Sequence, residues 1–115
     1  MAELYRGMDR DTLDLAYNNS RAVANAAELL AAMRGRSDAA YETREHRHGL
    51  AYGDSARQRY DWFPAGPQGA PTLVFIHGGY WQRCEKEDFA FIVAGPLAAG
   101  FNLILAEYTL APEAG

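Results

Sequence analysis

With 115 residues, the chain is long enough for one domain with a modest core, and its composition, 49% hydrophobic and 23% charged, is that of a globular protein rather than a disordered one. A formal net charge of −4 and scattered arginines argue against a basic nucleic-acid-binding face. The single cysteine, Cys84, excludes a disulfide within the chain and a cysteine-rich metal site.

The first part of the chain, residues 1–46, predicts a helical segment. Asp9 and Asp11 are both candidates for the N-cap of the first helix, and Ser20 is suited to cap a second helix that Gly35 would end. Residues 36–46 are polar, and the pattern leaves open whether they form a third short helix or a loop.

From residue 47 onward the hydrophobic period changes, and residues 47–115 predict the start of a sheet. Residues 47–52 and 57–63 have the pattern of two short strands. A turn at Gly53-Asp54 separates them, so this region predicts an antiparallel hairpin.

A strand–helix–strand pattern follows in residues 72–105. The apolar run TLVFI, residues 72–76, is typical of a strand buried on both faces of a parallel sheet. Residues 85–99 predict a helix that Pro96 shortens or kinks, and FNLIL, residues 101–105, predicts another buried strand. The length matches one right-handed βαβ unit, so the predicted fold class is α/β.

The turn after the first of these strands contains two glycines, within the stretch FIHGGYW, residues 75–81. A turn at the carboxyl end of a parallel strand lies where α/β sheets bind ligands. Gly78 and Gly79 allow successive N–H groups to point outward, where they can stabilise negative charge on a carbonyl oxygen. A tight turn without chemistry is the alternative. No dinucleotide or P-loop glycine pattern is present.

Two motifs in this region resemble those of a known family. HGGYW, residues 77–81, is similar to the HGGxW motif of kynurenine formamidases (arylformamidases), and YTLAPE, residues 108–113, is similar to the segment after their next strand. LDLAYNN near the N-terminus and RQRYDWFP in the hairpin also resemble this family. The resemblance implies the N-terminal portion of an α/β-hydrolase fold, with N-terminal helices, an antiparallel hairpin and a βαβ unit, as one incomplete domain.

The resemblance also implies roles for the residues of the turn. Gly79 and Tyr80 are expected to offer backbone N–H groups to an oxyanion, and Gly78 to shape the turn. His77 is expected to brace the loop by hydrogen bonds, and Trp81 to line the substrate pocket or pack beneath it. In this family a serine attacks the formyl carbonyl of N-formylkynurenine and releases kynurenine and formate, in tryptophan degradation, with no metal or organic cofactor.

The nucleophile, acid and base of such an enzyme are not expected in this chain. No serine follows Ser55, which fits the hairpin turn, and no G-x-S-x-G elbow is present. His46 and His48 are expected at the solvated edge of the hairpin, and Cys84 as a small packing residue. We therefore expect a fragment of a serine acyl hydrolase, inactive by itself, whose complete form acts on a small formamide. The alternatives are a carboxylesterase fragment and a non-catalytic interaction module on the same scaffold.

The sequence also predicts the surroundings of the chain. The segment FNLILAEY, residues 101–108, is expected to form an exposed apolar sheet edge, which would favour association between copies. No secretory signal and no apolar run of about 18 residues is present, so we expect a cytoplasmic location and no membrane partner.

Overall fold

The computed structural model describes residues 2–114 and contains four helices, two 3-10 turns and one four-stranded sheet. The helices are α1 (Arg10–Tyr17), α2 (Asn19–Ala22), α3 (Ala26–Thr43) and α4 (Ala94–Ala98). The strands are β1 (Arg47–Ala51), β2 (Arg59–Phe63), β3 (Thr72–Ile76) and β4 (Asn102–Ala106), and the 3-10 turns are Lys86–Asp88 and Ala90–Val93. The chain divides into two compact units between Ala31 and Ala32. None of the described helices is both long enough and apolar enough to span a bilayer.

The first unit contains two short capped helices. The predicted cap of α1 is confirmed, because the Asp9 side chain accepts a hydrogen bond of 2.9 Å from the backbone N–H of Thr12. The predicted cap of the second helix is wrong. Asn18 caps α2 by accepting from the N–H of Arg21 at 3.1 Å, and Ser20 lies inside that helix.

Helix α3 corrects the expectation that Gly35 ends a helix. The helix continues through Gly35 to Thr43, so most of the polar stretch that the pattern left open is helical. Glycine weakens a helix interior by about 1 kcal/mol but does not have to stop it. Ser37 and Ala40, which follow on the same helix, are buried, and this packing offsets the weak propensity.

The sheet has the order β1-β2-β4-β3. The predicted hairpin is confirmed by antiparallel pairing of β1 with β2, and the predicted parallel pairing of β3 with β4 is also present. Strand β2 pairs antiparallel with β4. The hydrophobic core of the second unit lies on one face of the sheet. It consists of Ala40, Phe63, Ala90, Val93, Leu103 and Leu105.

The expectations about burial of β3 and exposure of β4 are both wrong. Strand β3 is an edge strand among the described residues, and its Leu73, Val74 and Ile76 are 46%, 53% and 66% exposed. Strand β4 lies between β2 and β3, and its Leu103 and Leu105 are buried. Strand order in a sheet depends on contacts distant in sequence, which the apolar runs do not reveal.

The crossover between β3 and β4 is not the single helix that was expected. It contains the two 3-10 turns and the short helix α4. Pro96 occupies the first turn of α4, the position where a missing N–H costs nothing, so the regular helix begins only at Ala94.

Candidate functional site

The parallel pairing of β3 and β4 brings two polar residues together at the carboxyl ends of these strands. The last paired residues are Ile76 and Ala106, so the next residues along the two strands are His77 and Glu107. His77 Nε2 lies 2.5 Å from Glu107 Oε1. Both residues are buried, with 3% and 5% exposure, and the contact therefore lies inside the protein.

Aromatic rings hold His77 from both sides. Its ring stacks on Tyr108 at a centroid distance of 4.5 Å and on Phe89 at 5.7 Å. The Tyr108 hydroxyl also donates to the His77 carbonyl at 2.9 Å. The Nδ1 atom lies 2.7 Å from the carbonyl oxygen of Gly78, so both ring nitrogens are engaged and the ring is fixed in orientation.

The Glu107 carboxylate accepts further hydrogen bonds beside the one from His77. These come from Arg57 Nη2 at 2.8 Å, the Lys86 backbone N–H at 3.0 Å and the Tyr108 backbone N–H at 3.2 Å. A buried carboxylate is tolerable because its oxygens are satisfied in this way.

Arg57, in the connection between β1 and β2, joins the same network. Its Nη2 donates to the carbonyl oxygen of Cys84 at 2.7 Å as well as to Glu107, and its Nε donates to the carbonyl oxygen of Tyr108 at 2.9 Å. The guanidinium thus connects the hairpin to the end of the glycine turn and to the segment after β4.

The turn between His77 and Lys86 has an unusual backbone. Gly79 has φ +126°, and a Cβ built there would lie 2.1 Å from the carbonyl oxygen of Arg83. Tyr80 and Trp81 follow in the left-handed region, with φ +58° and +59°, and Cys84 has φ +74°. Such conformations cost about 1–3 kcal/mol each and persist only where the surroundings impose them.

The N–H groups assigned to an oxyanion are free of backbone partners. Within residues 2–114, neither Gly79 nor Tyr80 donates a hydrogen bond to a backbone carbonyl. The Gly79 carbonyl accepts from the N–H groups of Gln82 and Arg83 at 3.1 and 3.2 Å, which closes the turn. The arrangement leaves two adjacent backbone donors available at the carboxyl end of β3.

The structure brings the five residues singled out in the sequence, 77–81, into this one turn and its entry. Gly78 has no left-handed backbone, and a Cβ built on it meets nothing within 4 Å. The ring centroids of Tyr80 and Trp81 are 5.9 Å apart, and the two residues are 74% and 70% exposed. The Trp81 carbonyl accepts from the Ala111 N–H at 2.7 Å, which ties the turn to the YTLAPE segment.

The other candidates lie elsewhere. Ser55 lies in the connection between β1 and β2, with its hydroxyl 3.0 Å from that of Thr109. Cys84 is half-buried beside the turn, and burial raises the pKa of its thiol, which disfavours the reactive thiolate. His46 stacks on Phe63 at 5.3 Å.

His48 belongs to a charged cluster with Asp61, Glu87 and Lys86. The spacing of the imidazole and the two carboxylates would suit a metal ion. The Lys86 ammonium lies between them, however, 2.9 Å from Asp61, 2.6 Å from Glu87 and 3.2 Å from His48. The Lys86 ammonium pairs with both carboxylates inside the protein, where Lys86 is only 3% exposed, and so supplies the positive charge of this cluster.

Sequence reasoning missed Glu107 and Arg57. The position of Glu107 had a readable signal, because it follows an apolar strand, as His77 does, and the carboxyl ends of neighbouring parallel strands meet. Arg57 gave no such signal, since its contacts depend on how the hairpin folds back against β4.

Comparisons with known proteins show what the chain is similar to. No family model matches the chain. A kynurenine formamidase of Danio rerio is 23% identical over 117 residues, which cover 95% of this chain and 40% of that protein. A kynurenine formamidase of Drosophila melanogaster is 36% identical over 44 residues, 38% of this chain and 15% of that protein.

Solved structures show the same fold. A protein of Silicibacter sp. TM1040, provisionally assigned as a thioesterase, is similar with a TM-score of 0.76 and 31% identity, over 88% of this chain and 39% of that one. Esterase B of Lactobacillus rhamnosis has a similar fold, with a TM-score of 0.54 and 19% identity over 76% of this chain and 32% of that one.

The sheet therefore has the arrangement of the α/β-hydrolase fold over the part that these structures share with the chain. Within that class the chain resembles the kynurenine formamidases, and it spans about 40% of the length of the Danio rerio relative.

Proposed function

We propose that this chain is the N-terminal part of a serine hydrolase that cleaves aryl formamides, with N-formylkynurenine as substrate and kynurenine and formate as products. The observation that carries the proposal is the strained turn at Gly79 and Tyr80, whose adjacent N–H groups have no backbone partner among the described residues. Preorganised N–H donors of this kind stabilise the oxyanion of a tetrahedral intermediate.

In the proposed mechanism, the oxygen of the formyl carbonyl enters the turn and accepts hydrogen bonds from Gly79 N–H and Tyr80 N–H as a serine attacks. Gly79 supplies the left-handed backbone that the turn requires, and His77 braces the entry of the turn. Trp81 lines the pocket. The residue is 70% exposed here, so it is accessible to a substrate or to further parts of the protein.

The nucleophile, acid and base are proposed to lie outside these 115 residues. The chain spans 40% of the Danio rerio formamidase and 39% of the Silicibacter protein, which supports this proposal. The 115-residue chain alone should not hydrolyse N-formylkynurenine. The proposal that the nucleophile lies elsewhere would be contradicted if the purified chain hydrolysed N-formylkynurenine with saturation kinetics and lost this activity when the Tyr80 N–H was removed.

The sharpest test is a backbone change in the complete gene product. Replacing Tyr80 by its α-hydroxy acid exchanges the N–H for an ester oxygen and keeps the side chain. We expect kcat to fall by about 10²–10³, the effect of losing one oxyanion donor. The same exchange at Trp81, the next residue of the turn, is the control, and equal losses at both positions would reject the assignment of Tyr80.

A second candidate, hydrolysis of carboxylic esters, is supported by the similarity to an esterase and to a protein assigned as a thioesterase. Formamides and esters pass through the same type of oxyanion, so the turn serves either substrate. Comparison of kcat/KM for N-formylkynurenine and for a short-chain aryl ester separates the two, because the higher value identifies the substrate class.

A further inference from the structure

We propose that Glu107 is the positioning residue of the oxyanion turn, residues 78–84, and sets its shape through His77, Arg57 and Lys86. This inference rests on the proposed function for its catalytic meaning, but the structural part stands on contacts of Glu107 alone. Nothing in the motif HGGxW points to this residue, which lies 30 positions after His77.

One carboxylate, that of Glu107, holds both ends of the turn. At the entry it contacts His77 Nε2 at 2.5 Å, and just after the exit it accepts from the Lys86 N–H at 3.0 Å. Arg57 extends this hold to Cys84, because one guanidinium nitrogen donates to Glu107 and to the Cys84 carbonyl oxygen, at 2.8 and 2.7 Å.

The backbone of the turn is strained and needs contacts that fix its two ends. Gly79, Tyr80 and Trp81 have φ values of +126°, +58° and +59°, and their strained backbone requires fixed ends. The closing hydrogen bonds of the turn, from Gln82 and Arg83 to the Gly79 carbonyl, fix only its middle.

The pairing of β3 with β4 does not involve the side chain of Glu107. Strands β3 and β4 pair through residues up to Ile76 and Ala106, before Glu107 is reached. The side chain of Glu107 should therefore govern the turn more than the sheet, and this difference can be measured.

The experiment compares Glu107→Gln with Glu113→Gln, an exposed position six residues further on, by amide hydrogen exchange followed by NMR on the 115-residue chain. The Glu107→Gln substitution keeps the size of the side chain but presents an NH2 group where the carboxylate accepted a hydrogen bond, so at least one donor loses its partner. The reporters are the amides of Gln82 and Arg83 in the turn, and those of Leu103 and Leu105 in β4.

We expect exchange at Gln82 and Arg83 to become about tenfold faster or more in Glu107→Gln, and to stay within about twofold at Leu103 and Leu105. Glu113→Gln should leave both sets unchanged. Equal acceleration in the turn and the strand would mean that Glu107 only stabilises the sheet and would overturn the proposal, as would unchanged exchange in the turn.

Should Glu107→Gln fail to fold, Arg57→Lys provides the second variant, because it keeps the charge near Glu107 and loses the guanidinium fork that also holds the Cys84 carbonyl. The same pattern is expected, with faster exchange at Gln82 and Arg83 and little change at Leu103 and Leu105. If Arg57→Lys accelerates amide exchange equally in the turn and in β4, the proposal is contradicted here as well.

In the complete gene product, Glu107→Gln should lower kcat for N-formylkynurenine by about tenfold or more with KM within about twofold, because oxyanion donors act mainly in the transition state. Glu113→Gln should leave both constants unchanged. Raised KM with unchanged kcat would refute the positioning role. If the unaltered protein does not hydrolyse the substrate, the proposed function fails, and the exchange experiment still decides the role of Glu107.

Discussion

Gly78 and Gly79 are neighbours in sequence, but their backbones make different demands. Gly79 is left-handed and so close to Arg83 that a methyl group would overlap the carbonyl oxygen at 2.1 Å. Gly78 has open space around the position of a Cβ. The need for glycine in the motif is therefore concentrated at its second glycine.

A pair of alanine substitutions tests this difference. Gly79→Ala should lower the free energy of unfolding by about 2 kcal/mol or more, because it adds backbone strain and a steric overlap. Gly78→Ala, the matched control, should change it by less than about 0.5 kcal/mol. Urea unfolding followed by circular dichroism measures both, and equal losses would show that Gly79 is not specially constrained.

At the scale of elements, α3 and the segment after the turn are joined by charge. Arg34 Nη1 donates to Glu85 at 2.7 Å and to Asp88 at 2.9 Å, and the Ser37 hydroxyl donates to the Asp88 carbonyl at 3.0 Å. The cluster around Lys86 holds the other side of this segment. The 3-10 turn Lys86–Asp88 is thus fixed by ion pairs and hydrogen bonds more than by its own helical propensity.

The charge cluster makes stability depend on pH. Burial alone would raise the pKa of Glu87, but hydrogen bonds from Lys86, from its own backbone and from His48 bring the pKa below its ordinary value of 4.5. Its contribution to stability is therefore complete above pH 4.5 and is lost as the pH falls through the lower pKa of the folded state. We expect Glu87→Gln to flatten the acid side of the stability curve.

The measurement is urea unfolding between about pH 3 and pH 7, a range that spans the titration of carboxylates. Glu42→Gln, at an exposed position of α3, is the control and should keep the acid dependence of the unaltered chain. An identical acid dependence for Glu87→Gln and the unaltered chain would remove Glu87 from this account.

Helix α3 offers a second prediction at this scale. Gly35 lies inside the helix, is exposed, and has free space for a methyl group. Gly35→Ala should raise the free energy of unfolding by about 0.5–1 kcal/mol, since alanine loses less backbone entropy in a helix. Gly100→Ala, at φ +87°, is a control of opposite sign, and thermal unfolding distinguishes the two.

At the scale of the whole molecule, β1 and β3 are the two edge strands of the described sheet, and β3 carries the exposed apolar residues Leu73, Val74 and Ile76. Its outer side carries apolar residues, and within residues 2–114 only β4 pairs with it. An exposed apolar edge strand can pair with another chain. We propose that copies of the 115-residue chain associate through β3, in place of the β4 edge expected from the sequence.

Val74→Lys should reduce this association, because a charge on an edge strand opposes pairing between sheets. Leu15→Lys is the control, since Leu15 is 51% exposed and Val74 is 53% exposed, but Leu15 lies on helix α1. Light scattering across protein concentrations reports the outcome. A monomer for the unaltered chain at all concentrations would show that β3 does not associate.

The parts of the fold that were predictable are those that depend on local sequence. The bounds of β3 follow from a short apolar run, and the hairpin follows from two such runs separated by turn residues. The cap at Asp9 follows from its place three residues before Thr12, whose backbone N–H it accepts from. The order of the strands and the continuation of α3 through Gly35 depend on burial against distant residues, which local patterns do not contain.

The same division holds at the candidate site. The residues of the turn could be found from one contiguous motif, HGGYW. The contacts of Glu107 and Arg57 with the turn could not, because they depend on the register of β4 and the path of the hairpin, and only the place of Glu107 after an apolar strand was visible in the sequence. Contacts between residues far apart in sequence, such as His77 and Glu107, depend on the order of the strands in the sheet. The sequence predicted that order only in part.

The dispersal of this network along the chain has a consequence for the order of folding. The turn comes at residues 78–84, but the groups that fix it include Arg57 before it and Glu107 after it. Loop closure over such separations is slow compared with local turns. The turn is therefore expected to reach its final shape only after β4 has joined β2 and β3, and pulse-labelled amides of the turn should become protected no earlier than those of β4.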